Sequence, residues 1–191
     1  MRLVQRLSIA AVLGVAFAAL AVPAQAAFAH GTSAPTAARS GSQHGYRHLS
    51  EQDKSFLVAA HQSNLAEIAA GHVALAKSHN PVVREIATRL IADHLRLDVG
   101  VRATAARHHV ALPNAPSREQ RAQLAAVARK SGPAFDHAWL KLQESSHVKT
   151  LALINRELHQ GCAPDVKAVA RTAKPVVQMH LEMVREALGE D

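Results

Sequence analysis

After His48 the apolar positions recur every three to four residues, and no segment alternates residue by residue as a strand does. The pattern predicts helices throughout. The first opens on Ser50 as N-cap with Asp53 three residues on, and runs to about Ser78. Asn80-Pro81 starts the second, which continues to about Val110, before Leu112 to Pro116 break it. Ser117 with Gln120 caps a short helix ending near Lys130. Ser131-Gly132-Pro133 then leads into a long helix from about Ala134 to Gln160. Pro164-Asp165 opens the last, ending near Leu188-Gly189, with Pro175 inside it as an expected kink or split. Four long helices joined by mostly short links imply an all-α, up-down-up-down arrangement: a four-helix bundle with a short extra helix between helices 2 and 3. A weak internal repeat divides it into two hairpins, with Phe56 and Pro81 of the first matched by Phe135 and Pro164 of the second.

Four polar residues interrupt the apolar stripes. Glu67 lies on the stripe of Phe56, Ala60 and Ala74; His94 on that of Ala87, Leu90 and Val101. His147 shares a face with Leu140, Leu151 and Ile154, and His180 with Ala173, Val177 and Val184. Their heights agree as well. Glu67 stands about thirteen residues before the turn at Asn80 and His94 about fourteen after it, a difference of ~2 Å at 1.5 Å per residue. His147 and His180 flank Cys162 at about fifteen and eighteen residues, within ~5 Å, or one turn. Four such side chains on one level of a core are the material of a metal site. Glu144, three residues before His147, and Asp93, beside His94, are accessory candidates, Asp93 as an acceptor that orients a ring. Asn64, one turn before Glu67, is expected to hydrogen-bond it. The other histidines, His61 among them, read as surface or boundary residues.

Before this domain the composition changes. Arg2 and Arg6 precede an apolar run from Leu7 to Leu20, and Ala24-Gln25-Ala26 follows. That is the layout of a signal peptide over residues 1–26, which places the mature chain in the periplasm or outside the cell. Residues 27–48, rich in Ser, Gly, Ala and Pro, read as a flexible leader, and residues 49–191 as the bundle. No other stretch is long and apolar enough to span a bilayer. The formal net charge is +7, two units of which belong to Arg2 and Arg6. The basic residues are interleaved with acidic ones, and six aromatic residues (four Phe, one Tyr, one Trp) supply no stacking platform, so nucleic acid is not an expected partner. Cys162 stands alone and forms no internal disulfide.

The chain resembles the domain-of-unknown-function family 4142 at these same residues: Asn64-Leu65-Ala66-Glu67-Ile68, Asp93-His94, Phe135-Asp136 followed by His147, and Pro175 to His180. The resemblance covers roughly Gln52 to Leu188. It implies an exported protein with a ferritin-like four-helix arrangement, and no particular activity. The chain departs from the family pattern at Trp139, where the family has Tyr, at Ser146, where it has Asp, and at Lys174, where it has Leu.

A bridged di-iron centre of the ferritin type needs Glu-x-x-His on two helices. Ile91 and Val177 occupy the Glu positions before His94 and His180, and only Glu144 complies. One divalent ion, Zn, Cu, Fe or Mn, suits three His and one Glu better. Its affinity is expected to fall as pH drops through the histidine range near ~6.5. The function expected is therefore metal handling or envelope stress. The alternative is a structural or interaction protein of the envelope, whose buried cluster only specifies packing. A metal-dependent redox enzyme ranks third, since no nucleophile–base pair, phosphate loop or substrate motif is visible.

Overall fold

The computed structural model describes residues 49–189, and the expected signal peptide and leader lie outside the described residues. Five helices make up that part: α1 (Glu51–Lys77), α2 (Pro81–Arg107), α3 (Arg118–Ala128), α4 (Gly132–Gln160) and α5 (Pro164–Leu188). Their starts follow local chemistry. Ser50 with Asp53, and Ser117 with Gln120, form reciprocal capping boxes, and Asn80 accepts from the backbone N–H groups of Val82 and Val83. No helix among the described residues is long and apolar enough to cross a membrane.

The helices pack as two hairpins, α1 with α2 and α4 with α5, joined face to face through α1 against α4 and α2 against α5. Alternation of direction holds within each hairpin. Between them α3 intervenes: it lies along α4 and α1 and carries the chain back to the end where α1 stops and α2 starts. Phe135 and Trp139 at the head of α4 accordingly share a core with Ala74, Val83 and Ile86. The order is thus up-down, crossover, down-up, with α2 and α4 parallel.

Two apolar clusters form the core of the bundle. One end holds Trp139, Phe135, Leu90 and Val184; the other holds Phe56, Leu57, Ile154, Val166 and Ala170. Trp139 is fully buried, and its indole N–H donates to the Ala70 carbonyl at 2.9 Å, which ties α4 to α1. Between the two clusters the interior is polar, and this band contains the four residues singled out above.

The α5 helix runs unbroken through Pro175, so the expected split does not occur. Pro175 and Arg171 both face solvent, where water can serve the Arg171 carbonyl that the proline leaves unpaired. Gly71 marks a close approach of α1 to α2. A Cβ there would stand 2.6 Å from Ile91 Cγ1 and 3.1 Å from the Ala87 carbonyl oxygen. Gly71→Ala gains about 1 kcal/mol of helix propensity but overpacks the seam by roughly 1–3 kcal/mol. A net loss of about 1 kcal/mol is expected, read as a melting point lower by about 4 °C.

Candidate metal centre

His94, His147 and His180 meet at the middle of the bundle, one from each of α2, α4 and α5. Their ring centroids are 5.3 to 5.8 Å apart, and the rings are steeply inclined to one another. All three are buried. Each presents one ligand atom, and these three atoms lie within 4.8 Å of one another.

The opposite nitrogen of each ring is anchored. His94 Nδ1–H donates to Asn64 Oδ1 at 2.9 Å, His147 Nδ1–H to the Gln143 carbonyl one turn earlier at 2.8 Å, and His180 Nε2–H to Asp93 Oδ2 at 3.0 Å. These acceptors fix the tautomers. They leave lone pairs on His94 Nε2, His147 Nε2 and His180 Nδ1, and all three atoms are buried without a partner. The anchors are themselves held. Asn64 Nδ2 donates to Asp98 at 3.3 Å, which turns its oxygen toward His94. Asp93 is gripped by Arg89 and Arg96 from its own helix.

Electrostatics keep the rings neutral. Burial pushes His147 down to about 4, partly opposed by the Gln143 carbonyl and reinforced by His180. Burial first, and then its two histidine neighbours, hold His94 well below the ordinary histidine range. His180 is lowered by burial, with the Asp93 carboxylate pulling the other way. Burial alone would raise Asp93, but the Arg89 guanidinium and the His180 ring outweigh it and keep Asp93 ionised. The result is three neutral imidazoles with a fixed carboxylate behind one of them, a donor set suited to a divalent transition ion.

The remaining candidates take other places. Glu67 is buried but is not one of the three clustered donors. Its carboxyl borders a separate cavity of about 380 Å³ under the start of α3, beside Ser146. Burial raises it to about 8, with the Ser146 hydroxyl favouring the ionised form, so it is protonated at neutral pH. Glu144 points to the rim, where Lys141 and Arg185 pair with it at 2.6 and 3.3 Å, so it does not join the cluster. Asp93 orients His180, on another helix, rather than its neighbour His94. Asn64 serves His94 rather than Glu67. His61 is buried, bonded to Asp98 and to the Pro113 carbonyl, so its reading as a surface residue is corrected.

Sequence reasoning also missed Gln143. It sits one turn before His147 on the same buried stripe as Phe135 and Trp139, and neither its amide nitrogen nor its oxygen has a partner. That stripe was its signal.

The chain belongs to the DUF4142 family. The family, described as a domain of unknown function, matches residues 38–187. The ferritin-like arrangement expected from the resemblance agrees with the helices described above. The fold is also similar to the crystal structure of a DUF305 fragment from Deinococcus radiodurans, with a TM-score of 0.67 and 16% identity over 75% of this chain and 99% of that one. No curated protein matches the chain.

Proposed function

We propose that the protein binds a single divalent transition ion through His94 Nε2, His147 Nε2 and His180 Nδ1, and that it serves metal handling in the cell envelope. One observation carries the reading. Among the described residues eight buried side-chain atoms have no partner, and six of them belong to Glu67, His94, Gln143, His147 and His180. An unsatisfied buried polar atom costs about 1–3 kcal/mol, and folded proteins rarely leave them. A cation collecting the three lone pairs removes that cost at three of the six. With Zn–N distances near 2.1 Å, tetrahedral ligand nitrogens stand roughly 3.4 Å apart. The present bite of up to 4.8 Å therefore has room to close on an ion.

The three ligand atoms are buried, which favours tight holding, and a cleft between α2 and α5 reaches His94. Glu67 is buried, held protonated at neutral pH, and hydrogen-bonded to Ser146, the residue before His147. The signal-peptide pattern of residues 1–26 motivates the envelope assignment, and N-terminal sequencing of natively exported protein should begin near Ala27.

The direct test is elemental mass spectrometry on protein purified without a histidine tag. About one equivalent of Zn, Cu, Fe or Mn per chain is expected. Protein that stays metal-free after incubation with each ion and desalting refutes the reading and leaves a cluster that only specifies packing.

A further inference from the structure

Below the histidines the bundle is not filled. A cleft of about 540 Å³ enters between α2 and α5 and reaches the inner faces of α1 and α4. It exists because both facing helices carry small side chains there: Gly100 and Ala103 on α2, Ala168 and Ala173 on α5. A Cβ placed on Gly100 would meet nothing within 4 Å. The floor is apolar, formed by Phe56, Ala60, Ile154 and Val177.

The cleft is long and narrow. Along α2 its lining runs from Asp93 and His94 to Arg107, and includes Arg96; Arg96 and Arg107 are eleven residues apart and so about 16 Å apart on nearly the same face. Both guanidinium groups are largely exposed at the rim. Arg96 shares Asp93 with Arg89 and His180, and Arg107 shares Asp165 with His108. Donors therefore outnumber carboxylates at the opening, and each guanidinium has N–H groups to spare.

We propose that this cleft binds a single-chain aliphatic anion, such as a fatty carboxylate. The chain lies between α2 and α5 against Phe56 and Ile154, and the head group is held at the rim by Arg96 or Arg107. Length, apolar walls and a cationic mouth each select part of that ligand: an extended chain, no internal polar groups, and a negative end. The inner end of the cleft touches the metal centre at Asn64, Asp93 and His94, but the apolar floor and the two rim guanidinium groups are other residues, so the inference does not require a bound ion.

The test is displacement of a dansyl-labelled undecanoate from the purified protein, with and without EDTA. Dodecanoate should displace the probe in both conditions, hexanoate should not, and dodecylamine should be weaker than dodecanoate by about tenfold or more. Gly100→Leu with Ala173→Leu fills the cleft. It should abolish probe binding while holding or raising the melting temperature by about 2–4 °C, which separates occlusion from unfolding. Arg96→Gln with Arg107→Gln should weaken dodecanoate by about tenfold and leave dodecanol unchanged. No probe binding by the wild-type chain, equal binding of dodecylamine and dodecanoate, or full binding by the cleft-filling variant each overturns the proposal. Loss of metal binding with retained probe binding leaves it standing.

Discussion

Zn, Cu, Fe or Mn should raise the melting temperature of the wild-type protein, and Ala at His94, His147 or His180 should remove that rise. An ion present at a hundred times its dissociation constant stabilises the folded state by about 2.7 kcal/mol. For a domain of this size that is a shift of roughly 5–10 °C. Removing one ring leaves two donors, so the shift should vanish rather than halve. His108→Ala is the control, since His108 pairs with Asp165 at the foot of α2 and touches none of the three rings. Asn64→Ala and Asp93→Asn should behave differently from the ligand variants. They leave all three lone pairs in place but release one ring each, and a loss of about 10–100-fold in affinity is expected with metal still bound.

The pH dependence separates this site from an exposed histidine cluster. The sequence alone sets the fall in affinity near ~6.5. Burial changes that, because His147 titrates only near 4 in the folded chain and His94 well below its ordinary value. Protons therefore compete with the ion only in more acidic solution, and binding at pH 5.5 should remain close to that at pH 7. The same shift makes the metal-free protein acid-sensitive. Between 6.5 and about 4 the unfolded chain binds protons that folded His147 refuses, so stability falls as pH falls through that window. Metal-loaded protein loses stability along the same slope but starts higher, so its acid midpoint should lie at lower pH. Equal acid midpoints with and without metal would refute the coupling.

How much of this was legible depended on which physical constraint carried it. The stripes and the common height of His94, His147 and His180 follow from helical period and turn position, and both can be counted along the chain. The partners of those rings cannot. Asn64 is turned toward His94 by Asp98, on the second helix, and no spacing within the first helix announces it. Glu144 has the spacing of a ligand, yet Lys141 and Arg185 draw it to the rim, and a carboxylate with two cations there has no reason to enter the core. The crossover was hidden for a related reason. A capped, eleven-residue α3 can be read from Ser117 and Gln120, but its length says nothing of which end of the bundle it reaches.

Asp53 and Glu157 show the same limit at the far end of the bundle, and replacing Asp53 should be among the most damaging single changes. From the sequence Asp53 is only the second member of a capping box. In the fold it is fully buried and accepts from four donors: the Ser50 N–H and hydroxyl, and the N–H groups of Cys162 and Ala163 at 2.9 and 3.1 Å. One carboxylate thus closes the start of α1 onto the link between α4 and α5. Asp53→Ala strips partners from all four and should cost about 3–5 kcal/mol, lowering the melting temperature by roughly 10 °C or more.

Glu157 stands against this carboxylate, takes the Gln52 amide at 3.1 Å, and leaves Gly161 no room for a side chain, since a Cβ there would meet its Oε1 at 2.0 Å. Burial, with Asp53 adding to it, raises Glu157 to about 7, although Gln52 favours the charged form. The folded state thus holds a proton that the unfolded chain, titrating near 4.5, gives up. Glu157 therefore takes stability away as pH rises from 4.5 to about 7, and the full penalty is present above that. Glu157→Gln keeps the shape, stays neutral, and can donate its amide to Asp53. It should melt higher than wild type at pH 8 and within a degree or so of it at pH 4.5. A variant less stable than wild type at pH 8 would show that the ionised pair, and not a shared proton, closes this end of the bundle.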